Sequence, residues 1–131
     1  MYFFILSFSI KVFIIHIICL VGVKYSTACE DWPTYSTTVE LKCEANTKIL
    51  ILKADFGRDK YSIACDDKYY NGDCTSSLNT EEVMKNLCGN KQTCEVTPTP
   101  DVFGDPCPYV TKLLRVWYQC VGDGKNVLSE N

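Results

Sequence analysis

Sulfur is the first chemistry this chain offers. Its 131 residues hold nine cysteines. Cys19 lies in an apolar N-terminal stretch; Cys29, Cys43, Cys65, Cys74, Cys88, Cys94, Cys107 and Cys120 are spread over the rest. Structural zinc calls for Cys-x-x-Cys or mixed Cys/His spacing. The closest pair here is Cys88 and Cys94, and the only histidine, His16, sits in the apolar stretch. The same lack leaves a cysteine nucleophile without an imidazole base. An even set of cysteines behind an apolar leader reads instead as a disulfide framework made in an oxidising compartment. Asp66, Asp67, Asn71, Gly72 and Asp73 form a second chemical cluster. An EF-hand-type loop begun at Asp67 would put Tyr69 and Leu78 at ligand positions, so a solvated acidic loop is the better reading. With no phosphate-binding glycine loop and no nucleophile–base pair, the sequence points to a protein that is not an enzyme and takes no metal or other cofactor.

Lys11 precedes the apolar run Val12 to Val23, and small residues Ser26-Thr27-Ala28 follow. That is the pattern of a signal peptide cut after Ala28, and each uninterrupted apolar piece falls short of the roughly 20 residues that span a bilayer. The expected organisation is a signal peptide over 1–28, one folded domain over 29–121 and a flexible tail over 122–131. Removing 1–28 takes Lys11 and Lys24 but no acid, leaving 11 basic and 16 acidic side chains, a balance of −5. Nucleic acid and anionic membranes select basic surfaces, so neither is an expected partner, and the mature form is not expected to insert into a membrane. Secretion is the expected fate.

The elements that must hold any site are mostly strands. Val39, Leu41 and Cys43 alternate with Thr38, Glu40 and Lys42, the pattern of a half-buried strand. Residues 48–54, KILILKA, are apolar on both faces and predict a central strand, with Asn46-Thr47 as the turn of a hairpin between the two. Residues 61–65 and 93–97 predict shorter strands, and 66–75 a loop. Asn79-Thr80-Glu81-Glu82 has the form of a helix N-cap, Val83, Met84, Leu87 and Cys88 make one apolar face, and Gly89 is placed as a left-handed stop. In the last strand, Leu114, Val116, Tyr118 and Cys120 line one face and Leu113, Arg115, Trp117 and Gln119 the other. Strands with one separate helix make an α+β domain built on antiparallel sheet. Spacing alone supports one local bridge, Cys88–Cys94.

Three segments carry a family resemblance. They are Ala54-Asp55-Phe56-Gly57-Arg58, Phe103-Gly104-Asp105-Pro106-Cys107, and Lys112-Leu113-Leu114-Arg115-Val116-Trp117-Tyr118-Gln119-Cys120. With the order of the eight cysteines and the acid in Cys29-Glu30, they resemble the galactose/rhamnose-binding lectin domain of the sea urchin egg lectin type, as in fish egg lectins and latrophilin ectodomains. The resemblance implies an antiparallel β-sandwich with one or two helices and long disulfide-pinned loops. It implies the pairs Cys29–Cys65, Cys43–Cys120, Cys74–Cys107 and Cys88–Cys94. It also implies a calcium-independent carbohydrate site of Glu30, Asp105 and Lys112, with Phe56 at its wall and Gly57 and Arg58 fixing the adjacent loop. A neutral sugar suits such a site, since carboxylates accept from adjacent hydroxyls while a cation donates back.

The partners implied are glycans with rhamnosyl or galactosyl groups, or a cell-surface glycoprotein. Thr111 and Leu113 replace the usual tyrosines beside Lys112, and two further departures from the family pattern bear on the site. Phe56 lacks the usual phenolic hydroxyl, and Tyr109 stands where the family has a glycine. Tyrosine resists positive φ, so its ring is expected to intrude on the ligand's space. A protein-recognition module on the same fold is the alternative, and exposed, clustered Phe56, Tyr109 and Trp117 would favour it.

Overall fold

Alternation along the last strand decides the architecture. In a computed structural model that describes residues 22–30, 38–59, 65, 72–76 and 78–122, β6 (Leu113–Gly122) lies between β1 (Lys24–Cys29) and β3 (Thr47–Arg58), with β4 (Cys74–Thr75) on the far side of β3. The second sheet pairs β2 (Val39–Lys42) with β5 (Thr93–Val96), and every pairing is antiparallel. Among the described residues there are two short helices, α1 (Thr80–Cys88) and the single turn α2 (Pro100–Phe103). Of the two faces of β6 that the sequence predicts, that of Leu114, Val116 and Tyr118 points into the core. Val39, Leu41 and Val96 face them from the small sheet, and Ile49, Ile51, Ala54 and Phe56 come from β3. Met84 and Cys88 close the core from α1. This is the expected α+β antiparallel sandwich.

The expected β2–β3 hairpin does not form. Asn46 turns the chain with φ 64°, and Thr47 donates its amide to the Glu44 carbonyl at 3.1 Å. β2 nevertheless pairs with β5, from Val39↔Val96 to Lys42↔Thr93, while β3 pairs with β6 and β4. The turn is a corner between two layers. Packing causes this: the Lys42 amide donates to the Tyr118 hydroxyl at 3.2 Å, and Cys43 is bridged to Cys120, which draws β2 across the inner face of β6.

In α1, Asn79 Oδ1 caps the Glu82 amide at 3.2 Å, as the sequence predicts. Leu87 turns toward solvent, which narrows the core-facing side to Val83, Met84 and Cys88 with the buried Thr80. Gly89 is not left-handed; its φ is −57°, and Asn90 takes the positive φ of 62°. A glycine is required at 89 for another reason. A Cβ there would lie 2.4 Å from the Lys85 carbonyl oxygen.

The four disulfides join Cys29 to Cys65, Cys43 to Cys120, Cys74 to Cys107 and Cys88 to Cys94. The strand expected over 61–65 lies outside the described residues except for Cys65, and of the loop over 66–75 only 72–75 are described. Gly122, the first residue of the expected tail, is the last residue of β6, and 123–131 lie outside the described residues.

The expected boundary at Ala28 conflicts with the sheet. Residues 24–28 pair with β6 from Lys24↔Tyr118 to Ala28↔Leu114, Ala28 is buried, and Thr27 Oγ1 donates to the Leu114 carbonyl at 2.9 Å. Cutting after Ala28 would strip β6 of its neighbour. We therefore propose that the folded domain starts at or before Lys24. If the chain is processed, intact-mass analysis should give an N-terminus no later than Lys24. A chain begun at Cys29 should lose about 2–4 kcal/mol, several ladder bonds at roughly 1 kcal/mol each; denaturant midpoints equal to those of a chain begun at Val23 would refute this.

Candidate functional site

Register brings the first two site residues together. Cys29 ends β1 opposite Leu113, the first residue of β6. One step further, the Glu30 amide donates to the Lys112 carbonyl at 2.7 Å. The Lys112 amide returns the bond to Glu30 Oε2 at 3.0 Å. The Glu30 carboxylate thus folds back on the backbone of Lys112 instead of pointing away from it. The ammonium of the same lysine reaches the same oxygen at 2.9 Å.

The third residue arrives from the other side. Gly104 ends α2 with φ 80°, a conformation that favours glycine, and its amide donates to the Pro100 carbonyl at 2.7 Å. This turns Asp105 toward Lys112, whose Nζ donates to Asp105 Oδ1 at 2.7 Å. The segment is held underneath by Ser76 Oγ, which donates to the Phe103 carbonyl, and by the Cys74–Cys107 bridge. Two backbone oxygens complete the shell around Nζ, those of Val110 at 3.0 Å and Cys107 at 3.4 Å.

An ammonium has three protons to give. Four acceptors surround this one, and the lysine side chain is only 2% exposed, against 5% for Glu30 and 37% for Asp105. The sequence reading gave Lys112 the role of donating to a ligand. In the structure it neutralises and orients two carboxylates from behind. Oε1 of Glu30 and Oδ2 of Asp105 carry none of these bonds. The cluster sums to one negative charge, so what it offers outward is acceptor capacity. These residues border a surface cavity of about 220 Å3. Its remaining walls, Pro100, Tyr109, Val110 and Thr111, apart from Tyr109, were not foreseen. They are ordinary loop residues with no signature, and the two carbonyls leave no trace in a side-chain sequence.

Phe56 is not part of this cavity. It is wholly buried, and its ring centroid lies 5.2 Å from that of Phe103. This corrects the expectation that it lines the site: without a hydroxyl the ring has no polar tip to satisfy, and it sinks into the core beneath α2. Gly57 lies in the β3–β4 ladder, where a Cβ would meet the Cys74 carbonyl oxygen at 2.2 Å. Arg58 is buried and directs Nη1 toward the Thr111 carbonyl at 3.5 Å, beside the cavity wall. Nearby, Asp55 and Asp59 both pair with Arg115, at 2.5 and 3.0 Å.

Tyr109 also departs from expectation. The Val110 amide donates to the Cys107 carbonyl at 3.2 Å, which makes Pro108 and Tyr109 the central residues of a β-turn. Pro108 occupies the position where proline pre-sets φ, and Tyr109 the position where a positive φ is needed. Tyr109 adopts φ 65°, and its side chain does not fill the cavity: the residue is 92% exposed. Trp117 lies elsewhere, on the outer sheet face, against Tyr25 at 5.0 Å and beneath Lys53 Nζ at 5.0 Å. Phe56, Tyr109 and Trp117 therefore do not form one surface. Among the described residues, no group of three or more His, Cys, Asp or Glu side chains is arranged to hold a metal ion, and no helix is long and apolar enough to cross a membrane.

The sandwich, its four bridges and this three-residue charge cluster are accompanied by sequence similarity of the same kind. Residues 41–120 match the D-galactoside/L-rhamnose binding SUEL lectin domain. The chain belongs to that family. It is 31% identical over 120 residues to Latrophilin Cirl of Drosophila pseudoobscura pseudoobscura, covering 86% of this chain and 7% of that protein. It is 33% identical over 101 residues to Adhesion G protein-coupled receptor L1 of Mus musculus, covering 72% of this chain and 6% of the receptor. The chain thus spans less than a tenth of the length of these curated relatives. Glu30 lies outside the residues matched by the family model, while Asp105 and Lys112 lie inside.

The burial asymmetry within the cluster sets a stability test. Lys112→Ala strands Glu30 as an uncompensated buried charge and should cost about 3–5 kcal/mol in chemical denaturation. Asp105→Asn, at a partly exposed position, should cost no more than about 1 kcal/mol. Equal losses in the two variants would contradict the placement of the lysine behind the carboxylates.

Proposed function

We propose that this domain is a carbohydrate-binding module for neutral sugars of the L-rhamnose or D-galactose type, that it needs no calcium, and that it acts outside the cell as part of a secreted protein. The observation that carries the proposal is the Glu30–Lys112–Asp105 cluster at the wall of a small cavity. Two adjacent hydroxyls of a pyranose present two donors a fixed distance apart. Fixed carboxylate oxygens accept both, and a carboxylate acceptor strengthens each bond relative to a neutral one. Lys112 contacts both carboxylates at 2.9 and 2.7 Å and holds them in place, so no metal ion is needed to orient them. Family membership supports the ligand class.

The negative balance of the cluster sets a selectivity. A sialic acid carboxylate or a sulfate ester brought to Glu30 and Asp105 meets like charge, which raises the energy of the complex. Neutral termini are favoured, free or on a cell-surface glycoprotein. The cavity is smaller than the roughly 300–1,000 Å3 of drug-sized pockets, which suits one sugar ring. Affinity for a single ring should be in the millimolar range, about −4 kcal/mol. Stronger retention on a cell surface requires several domains acting together. Four disulfides in one small domain support folding in an oxidising compartment, in line with secretion behind a signal peptide.

Nuclear magnetic resonance titration of the oxidised protein in excess chelator tests the reading. Methyl α-L-rhamnoside or methyl α-D-galactoside should shift the amides of Glu30, Asp105 and Val110, a sialylated galactoside should not, and Asp105→Asn should weaken binding at least tenfold while remaining folded. Binding that survives Asp105→Asn unchanged, or that vanishes on chelation, would reject the proposed site.

A further inference from the structure

We propose that Tyr109 forms a second subsite, an aromatic platform at the mouth of the cavity that selects glycans of two or more rings over single sugars. This rests on the reading of the cavity as a sugar site. The backbone of Tyr109 is in the left-handed region at φ 65°, which disfavours a side chain with a Cβ. Folding draws no return from the ring. Tyr109 is 92% exposed, against 52% for Tyr25, the next most exposed large apolar side chain among the described residues. Its hydroxyl has no hydrogen-bond partner among them. Glycine would serve the turn better, and the outlier is explained by something the ring touches outside the chain.

The turn fixes where that contact lies. Pro108 pre-sets the corner, Cys107 is tied to Cys74, and the Cys107 carbonyl also faces Lys112 Nζ at 3.4 Å. The loop that closes the ammonium shell therefore also carries the ring, so Tyr109 keeps a constant offset from Glu30 and Asp105. Proline at Pro108 and Pro100 and the branched side chain of Val110 make this rim stiff and apolar. A cavity of about 220 Å3 takes one pyranose, and whatever is linked to that ring leaves across the rim. A second pyranose presents a face of C–H groups, which packs against an aromatic face and loses little hydration in doing so. The phenolic hydroxyl, which has no hydrogen-bond partner among the described residues, is available to the second ring's hydroxyls.

The test compares matched probes by titration: methyl α-L-rhamnoside with rutinose, and methyl α-D-galactoside with melibiose. Each disaccharide adds one glucose ring through the same linkage type. The disaccharide of the recognised pair should bind about two- to tenfold more tightly than its monosaccharide, the gain expected of one aromatic contact. In Tyr109→Gly that ratio should fall to about one. The variant relieves the positive φ, so its melting temperature should equal or exceed that of the parent, and a lost ratio is then not unfolding. A parent ratio of about one, or a ratio that persists in Tyr109→Gly, overturns the subsite while leaving the sugar site standing. Failure of the parent to bind any of the four probes instead overturns the sugar-site reading on which the subsite rests.

Discussion

A lysine ammonium withdrawn almost completely from water must find acceptors for all its protons, and most of this structure around the cavity follows from how Lys112 finds them. The acceptors come from separate parts of the chain. Glu30 stands at the end of β1, Asp105 follows α2, and two carbonyls belong to the turn before β6. They converge only if β1 is in register on β6 and the segment after α2 is anchored. Hydrophobic residues of similar size would stabilise such a location as well or better, since desolvating three charges offsets much of their mutual attraction. What apolar packing would not supply is a pair of oriented carboxylates at the edge of a cavity. The cluster is better understood as a device for holding negative charge still.

The rest of the fold supplies stiffness to that device. Phe56 and Phe103 pack beneath the α2 segment, and Tyr118 reaches from β6 to the backbone of β2. Gly57 lets β3 and β4 approach so closely that no other residue fits, which brings Cys74 to the position from which it anchors Cys107. Two of the bridges end within two residues of the cluster, at Cys29 beside Glu30 and at Cys107 beyond Asp105. A core this small leaves limited apolar area to resist loop motion, and covalent links replace part of that resistance.

How much of this could be read in the sequence depends on the range of the interaction. Alternation in β6 and the Asn79 cap are local and were legible. The β2–β3 hairpin was misread because adjacency in sequence says nothing about layers: a turn at Asn46 serves a hairpin and a corner equally. Three of the disulfide pairs rested on family resemblance, since spacing singles out only Cys88–Cys94. Glu30, Asp105 and Lys112 were identified the same way, and the structure brings them within direct contact. The inverted role of Lys112 was not legible, because burial of a charged side chain is decided by distant segments. Phe56 was misplaced for a related reason: a motif position fixes where a residue sits on a strand but not how far the layers cover it. At Tyr109 the motif suggested steric obstruction, whereas the Pro108 turn carries the side chain outward.

The N-terminal boundary bears on the site as well as on the sheet. Glu30 is placed by two backbone-linked bonds to Lys112 that continue the β1–β6 ladder by one step. With β1 present, the ladder sets the direction in which Glu30 leaves the sheet. If the chain began at Cys29, that direction would rest on the Cys29–Cys65 bridge and one peptide unit. A free α-amino group would then stand next to Glu30, a mobile cation competing with Lys112 for the same carboxylate. Asp105 would lose part of its counter-charge geometry, and the cavity wall would no longer be rigid. The strand ahead of the first cysteine is therefore as much a component of the site as the residues that border the cavity, although none of its side chains faces it.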